Sequence, residues 1–136
     1  MIVAYIDGGA RGNPGPAAYG VRIEDQAGAL IEEFSGSIGV ATNNVAEYRG
    51  LLAALRWARD HRHRAVLVRS DSLLLVQQMR GNYKVKHPGL KPLHAEAQGL
   101  AQAIGRVSFE HVGRAHNAHA DRLANSAMDD ATRPLG

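Results

Sequence analysis

Residues 2–7 read Ile-Val-Ala-Tyr-Ile-Asp and run straight into a glycine-rich stretch that ends at Pro16, and this opening restricts the possible folds more than any other part of the chain. Alternation puts Ile2, Ala4 and Ile6 on one face and Val3, Tyr5 and Asp7 on the other, the period-two pattern of a half-buried or central strand. Asp7 is therefore expected where a strand gives out, with its oxygens free to point beyond the sheet. Gly8, Gly9, Gly12 and Gly15 follow, and glycines permit positive φ or a close backbone approach to a ligand. Asp7-Gly8 also fits a simple turn pair. What favours a site is that three more acids occur where the rest of the chain can bring them to Asp7.

Two further strands are expected over 18–25 and 29–38, joined at Gln26-Ala27-Gly28 and forming an antiparallel meander with the first. From Asn44 the period becomes helical, with Val45, Tyr48, Leu52 and Leu55 recurring at three and four and Leu51, Ala54 and Ala58 widening the stripe. That helix runs into a cationic group, Arg59, His61, Arg62, His63 and Arg64, partly favourable to its dipole. Residues 65–71 form a β-branched run ending in Asp71, and Leu73, Val76 and Met79 return to helical spacing. A helix over 90–104 stopped by Gly105, a short strand over 107–112 and a last amphipathic helix carrying Ala120, Leu123, Ala124, Ala127 and Met128 complete the pattern. The domain is expected over 1–128, and 129–136 as a frayed tail or the start of a linker. Strands first, then strands alternating with helices, imply an α/β fold whose mixed sheet joins a meander to parallel strands. Open sheets of this kind place ligands at the carboxyl ends of their parallel strands, where Asp7 and Asp71 both fall.

With 136 residues the chain has the length of one domain, and its 45% hydrophobic and 21% charged content is ordinary for a globular protein. It contains no cysteine, which excludes thiolate metal sites and suits a cytoplasmic setting. No stretch has the length and apolarity of a membrane span or an export leader. A net charge of +3 mildly favours a polyanionic partner.

Glu47, Asp71 and Asp121 each have a local explanation: a capping box from Asn44 to Glu47, N-cap chemistry at Ser70-Asp71-Ser72, and a favourable helix dipole at Asp121. Together they are harder to explain locally. Two like charges ~4 Å apart cost about 4 kcal/mol at an effective dielectric of 20, and capping does not offset several such pairs. Oxygen-only ligands suit a hard divalent cation, Mg2+ or Mn2+. Two such ions about 3.5–4 Å apart serve phosphodiester cleavage by activating water and stabilising the leaving oxygen.

Tyr5-Ile6-Asp7-Gly8-Gly9 leading into Gly12-Asn13-Pro14-Gly15-Pro16, then Ala41-Thr42-Asn43-Asn44-Val45-Ala46-Glu47, then Ser70-Asp71-Ser72, then Asn117 with Ala120-Asp121-Arg122-Leu123-Ala124, resemble type 1 ribonuclease H in order and spacing over nearly the whole chain. The resemblance implies a ribonuclease H-like fold with a five-stranded mixed sheet flanked by helices. It also implies endonucleolytic hydrolysis of the RNA strand of RNA–DNA hybrids, with 5′-phosphate and 3′-hydroxyl products. By position, Asp7, Glu47, Asp71 and Asp121 become the metal-binding catalytic carboxylates, holding two ions when substrate is bound. Gly8, Asn13, Asn43 and Asn44 fall on hybrid contacts in the shallow groove, where the 2′-hydroxyl is read, and Thr42 on a DNA phosphate.

The chain departs from the better-known bacterial pattern in two places. The loop before the last acid is short, with Arg114 resembling the arginine that a short-loop subgroup uses for proton transfer or product release, and His116 a second candidate by its titration range. Between 81 and 92, where relatives carry a basic protrusion, only Lys84, Lys86, His87 and Lys91 occur. Lys84 and Lys86 share a face if extended and are candidates for phosphate contact. The subgroup includes fusions to a phosphatase-like domain, so the expectation is a monomeric domain with a C-terminal partner domain possible in the native gene. His116-Ala-Asn-His119 and His61-Arg-His63 lack a third convergent ligand for zinc, and the glycine turn lacks the ending of a nucleotide-binding loop. A non-catalytic hybrid-binding module and a DNA nuclease or strand-transferase of the same fold stay open as competing readings.

Overall fold

A computed structural model describes residues 1–132. Five strands, β1 (Ile2–Ala10), β2 (Gly15–Glu24), β3 (Leu30–Ala41), β4 (Ala65–Ser70) and β5 (Arg106–His111), form one sheet in the order β3-β2-β1-β4-β5. β1, β2 and β3 pair antiparallel, whereas β4 pairs parallel with both β1 and β5. The helices are α1 (Asn43–Asp60), α2 (Leu73–Met79), α3 (Lys91–Ile104) and α4 (Ala118–Thr132), the last preceded by a 3₁₀ turn over Arg114–His116. The mixed sheet expected from the order of the patterns is present. No helix among the described residues is long and apolar enough to cross a membrane.

Each sheet face is covered by a different set of helices. Ile2, Ala4, Ile6, Val21, Ile23, Val66 and Val68 pack with Leu51, Leu52 and Leu55 of α1, Leu75 and Val76 of α2, and Ala97, Leu100 and Ile104 of α3. On the other face Ala18 packs with Ala124, Ala127 and Met128 of α4. That contact is close because Gly20 lies under the helix, where a Cβ would come within 2.7 Å of the Ala124 amide nitrogen. Tyr48 of α1 donates to Gln78 Oε1 of α2 at 2.6 Å, a buried bond that ties the two helices together.

Several boundaries differ from the sequence expectation, each for a tertiary reason. β1 does not end at Asp7. It continues to Ala10 along β2, and what ends at Ile6 opposite Ser70 is its parallel pairing with β4. Gly8 and Gly9 are accordingly strand residues, and of the four opening glycines only Gly12 takes positive φ, at 80°. β2 starts three residues early, at Gly15, and β3 runs through the polar Ser35-Gly36-Ser37 to Ala41. Gly36 lies opposite Tyr19 in the ladder, and its missing side chain leaves room for the tyrosine ring. α4 extends to Thr132, so 129–132 are helix and not frayed tail, and Arg11 of the glycine turn forms an ion pair with Asp129. The remainder of the expected tail, 133–136, lies outside the described residues.

Candidate active site

The two parallel strands deliver the first pair of acids. Asp7 follows Ile6 and Asp71 follows Ser70, and because Ile6 and Ser70 are register partners both carboxylates emerge at the same rim. Asp71 is not the helix cap that its neighbours suggested: Ser72 caps α2, its hydroxyl accepting the Leu75 N–H at 3.2 Å, while Ser70 Oγ accepts the Ser72 N–H at 3.0 Å. Both hydroxyls are thus committed to the backbone, which leaves the Asp71 side chain for other work.

Glu47 arrives from α1. The expected capping box starting at Asn44 does not form, since the cap is Thr42, whose Oγ1 accepts the Val45 N–H at 3.2 Å. This places Glu47 in the second turn, too far along to close a box. The helix approaches β1 so closely at this point that a Cβ on Gly8 would overlap the Ala46 carbonyl and the Glu47 amide. Gly8 therefore acts through its lack of a side chain, which lets the glutamate sit against the strand.

Asp121 lies in the first turn of α4. That turn is fixed by Asn117, 1% exposed, whose Nδ2 donates to the Ile6 carbonyl at 2.8 Å while its own carbonyl accepts the Asp121 N–H at 3.1 Å. One residue thus connects the Asp7 strand to the Asp121 helix.

Oxygens of Asp7, Glu47 and Asp71 lie within 4.8 Å of one another, and Asp121 shares the same cleft. An open cleft of about 460 Å3 is lined by all four acids and by Gly8, Asn43 and Arg114. Asp7 and Glu47 are only 8% and 9% exposed. Burial first, then the charge of Asp71 and the neighbouring Asp121 carboxyl, push the Asp7 carboxyl up to about 8. Burial, followed by the charges of Asp7 and Asp71, holds Glu47 well above the usual carboxylate range, with the Gly8 backbone and Arg114 opposing weakly. Glu47 Oε2 is buried without a hydrogen-bond partner among the described residues. None of these four carboxylates forms an ion pair among the described residues, Arg114 offsets their charge only weakly, and an oxygen-only set of this size fits a hard divalent cation.

The remaining candidates sort into two groups and an outlier. Asn13, Thr42, Asn44, Lys84 and Lys86 line a second groove of about 340 Å3. Lys84 and Lys86 lie on the segment joining α2 to α3, which contains no helix of its own. Asn13 Oδ1 accepts the Asn43 N–H at 3.0 Å and Asn43 Oδ1 accepts the Ala10 N–H at 2.8 Å. With both oxygens accepting from backbone, the amide N–H2 groups are the donors left for a ligand. His116 is the outlier: it is exposed on the 3₁₀ turn and, unlike Arg114, lines neither the cleft nor the groove. Sequence reasoning gave no role to Arg11, Asn125 and Met128, which also line the cleft, or to the Asn117 brace. An asparagine ahead of a helix reads as a cap, and only the tertiary bond to Ile6 shows its second use.

Known proteins resemble this chain in sequence and in fold. The chain matches the family described as Reverse transcriptase-like over residues 5–127. It is 49% identical over 133 residues to the bifunctional protein Rv2228c of Mycobacterium tuberculosis, covering 97% of this chain and 36% of that protein, so it spans about a third of that relative's length. It is 43% identical to ribonuclease HI of Halobacterium salinarum, over 96% of this chain and 65% of the relative. The crystal structure of LC11-RNase H1 in complex with an RNA/DNA hybrid superposes with a TM-score of 0.94 at 44% identity, covering 98% of this chain and all of that one. Likeness in fold and likeness along nearly the full sequence agree, and the chain belongs to the ribonuclease H family.

Proposed function

We propose that the chain is an endoribonuclease that hydrolyses the RNA strand of RNA–DNA hybrids and leaves 5′-phosphate and 3′-hydroxyl ends. The observation that carries this reading is the convergence of four carboxylates from four separate elements on one open cleft, two of them buried with raised pKa. The Halobacterium ribonuclease HI and the hybrid-bound LC11-RNase H1 support it.

Asp7, Glu47, Asp71 and Asp121 are the residues that would hold Mg2+ or Mn2+, two ions with substrate present. When bound, such ions supply a water of lowered pKa and Lewis-acid stabilisation of the departing oxygen. The chain's own contribution is positional. Gly8 admits α1, Asn117 braces α4 and Arg114 brings positive charge to the cleft. We assign the proton-transfer or product-release role to Arg114 over His116 because Arg114 lines the cleft. Asn13, Thr42, Asn43, Asn44, Lys84 and Lys86 grip the hybrid through sugar and phosphate, Thr42 using the hydroxyl hydrogen that its cap bond leaves free. The short helix-free joint between α2 and α3 supports placing the chain in the subgroup without a basic protrusion. The partial match to the bifunctional protein Rv2228c supports a place for this domain within a longer protein, and we propose that it acts as a monomer.

The test is to incubate labelled hybrid, duplex RNA and duplex DNA with Mg2+, Mn2+ or chelator, using the chain and its Asp7→Asn variant. Metal-dependent cutting of the hybrid's RNA strand alone, lost in the variant, is the expected result. Tight hybrid binding without cutting would instead identify a binding module, and cleavage of duplex DNA a DNA nuclease.

A further inference from the structure

A pocket of about 780 Å3 opens at the opposite end of the sheet, where β4 and β5 begin and α1 and α3 finish. Its walls include Arg59, Arg62, His63, Arg64 and Arg106. Arg59 pairs with Asp60 at 3.1 Å. Arg62, Arg64 and Arg106 have no carboxylate partner among the described residues. Helix dipoles do not account for them, because a dipole favours cations only within the last turn. Arg59 is the one basic residue in the last turn of α1, and α3 has none.

Two local features fix the backbone that carries these cations. Arg62 has a φ of 62°, the left-handed position after a helix where glycine is the easy choice, and its turn is pinned by its own N–H to the Arg59 carbonyl at 3.0 Å and by the His63 N–H to the Ala58 carbonyl at 2.9 Å. The Arg106 N–H donates to the Arg64 carbonyl at 3.0 Å, which sets those two residues side by side. His63 stacks on Trp57 with ring centroids 5.4 Å apart, and Trp57 also stacks with His61 at 4.0 Å, so the uncharged part of the wall is braced as well.

We propose that this arginine pocket is a second nucleic-acid contact, which takes the phosphate backbone of a duplex segment other than the one in the catalytic cleft. Planar guanidinium forks match phosphate oxygens in pairs. None of the exposed large hydrophobic side chains lines the pocket, and every charged group in its wall is a cation, which fits a polyanion. The six residues of β4 separate it from the acids by about 20 Å, far enough for the two ends of the strand to be occupied by separate segments. Choosing nucleic acid among polyanions rests on the proposed function, whereas the cationic pocket stands without it.

The test uses the full chain carrying Asp7→Asn, with chelator present and the cleft filled by an unlabelled short hybrid, and follows the anisotropy of a fluorescent DNA duplex across a salt series. The duplex is expected to bind this filled protein. Combining Arg62→Gln, Arg64→Gln and Arg106→Gln should weaken that binding and flatten the plot of log affinity against log salt by about 0.9 for each phosphate no longer neutralised. Arg64→Gln with Arg106→Gln, which leaves the Arg62 turn alone, should shift it the same way by less. In a chain that keeps Asp7, the triple substitution should leave cleavage of a short hybrid unchanged. Unaltered affinity and slope in both variants would overturn the proposal, as would displacement of the duplex by polyglutamate at equal charge, which would point to an acidic protein partner. Failure to cut hybrid while the second duplex still binds would instead count against the nuclease reading alone.

Discussion

The two ends of β4 carry opposite charge and acquire it by opposite routes. At the Ser70 end, acids from β1, α1, α4 and the residue after β4 are drawn together, and two of them are buried. At the Ala65 end, Arg59, Arg62 and Arg64 come from one short stretch and stay exposed, joined only by Arg106 from elsewhere. Neighbouring surface charges are screened by water and salt and cost little. Charges gathered from remote positions into a buried cluster exist only because the fold holds them there, against desolvation and repulsion. The acidic end is therefore where folding stability and chemistry conflict, and the basic end is where they do not.

Substituting an acid is the strongest way to break this contrast. Asp7→Asn should reduce hybrid cleavage to background while raising the melting temperature of the metal-free protein, a gain of stability with loss of function measurable by paired kinetics and thermal melts. A drop in melting temperature would mean that the acids do not conflict with the fold. Gly8→Ala comes next. Its Cβ would push α1 off β1, costing about 1–3 kcal/mol by overpacking and reducing turnover by moving Glu47.

Asn117→Ala should cost about 1–3 kcal/mol by leaving the Ile6 carbonyl without its donor, and should lower kcat more than it alters KM because it misplaces Asp121. The pH dependence of the metal-free protein sharpens the contrast further. The Asp7 pKa lies near 8 in the folded state against 3.8 as the ordinary value, so the folded chain binds more protons between those limits. Stability should therefore be fullest below about 4 and fall as pH rises toward 8, with Mg2+ restoring it by mass action. Thermal melts at several pH values, with and without the ion, read this directly, and Asp7→Asn should flatten the trend. The smallest change is expected from the basic end, where substituting Arg64 and Arg106 should leave the melting temperature within about two degrees, in keeping with surface substitutions worth less than ~0.5 kcal/mol.

The sheet, the helices and the convergence of the acids were legible because each rests on periodicity or on a residue at the end of an element. Val66 and Val68 alternate inward, and Leu51, Leu52 and Leu55 stripe α1, as the pattern requires. What escaped depends on contacts between remote positions. The continuation of β1 past Asp7 is set by β2, and the extension of β3 through Ser35-Gly36-Ser37 by the ladder that seats Tyr19 opposite Gly36. The capping box at Asn44 failed because Thr42 takes the cap two residues earlier, a choice that local propensity leaves open. His116 and Arg114 are indistinguishable by composition, and only the path of the 3₁₀ turn brings one of them to the cleft.

The clasp from Asn13 through Asn43 to Ala10 has a mechanical corollary. Asn43 lines the cleft, Asn13 lines the neighbouring groove, and two hydrogen bonds from backbone N–H groups to their side-chain oxygens lock them to each other and to the end of β1. If the chain cuts hybrids as proposed, one gripped in the groove and cut in the cleft would be measured by a rigid calliper, and the interval in nucleotides between the held phosphate and the broken bond should stay constant from one substrate sequence to another.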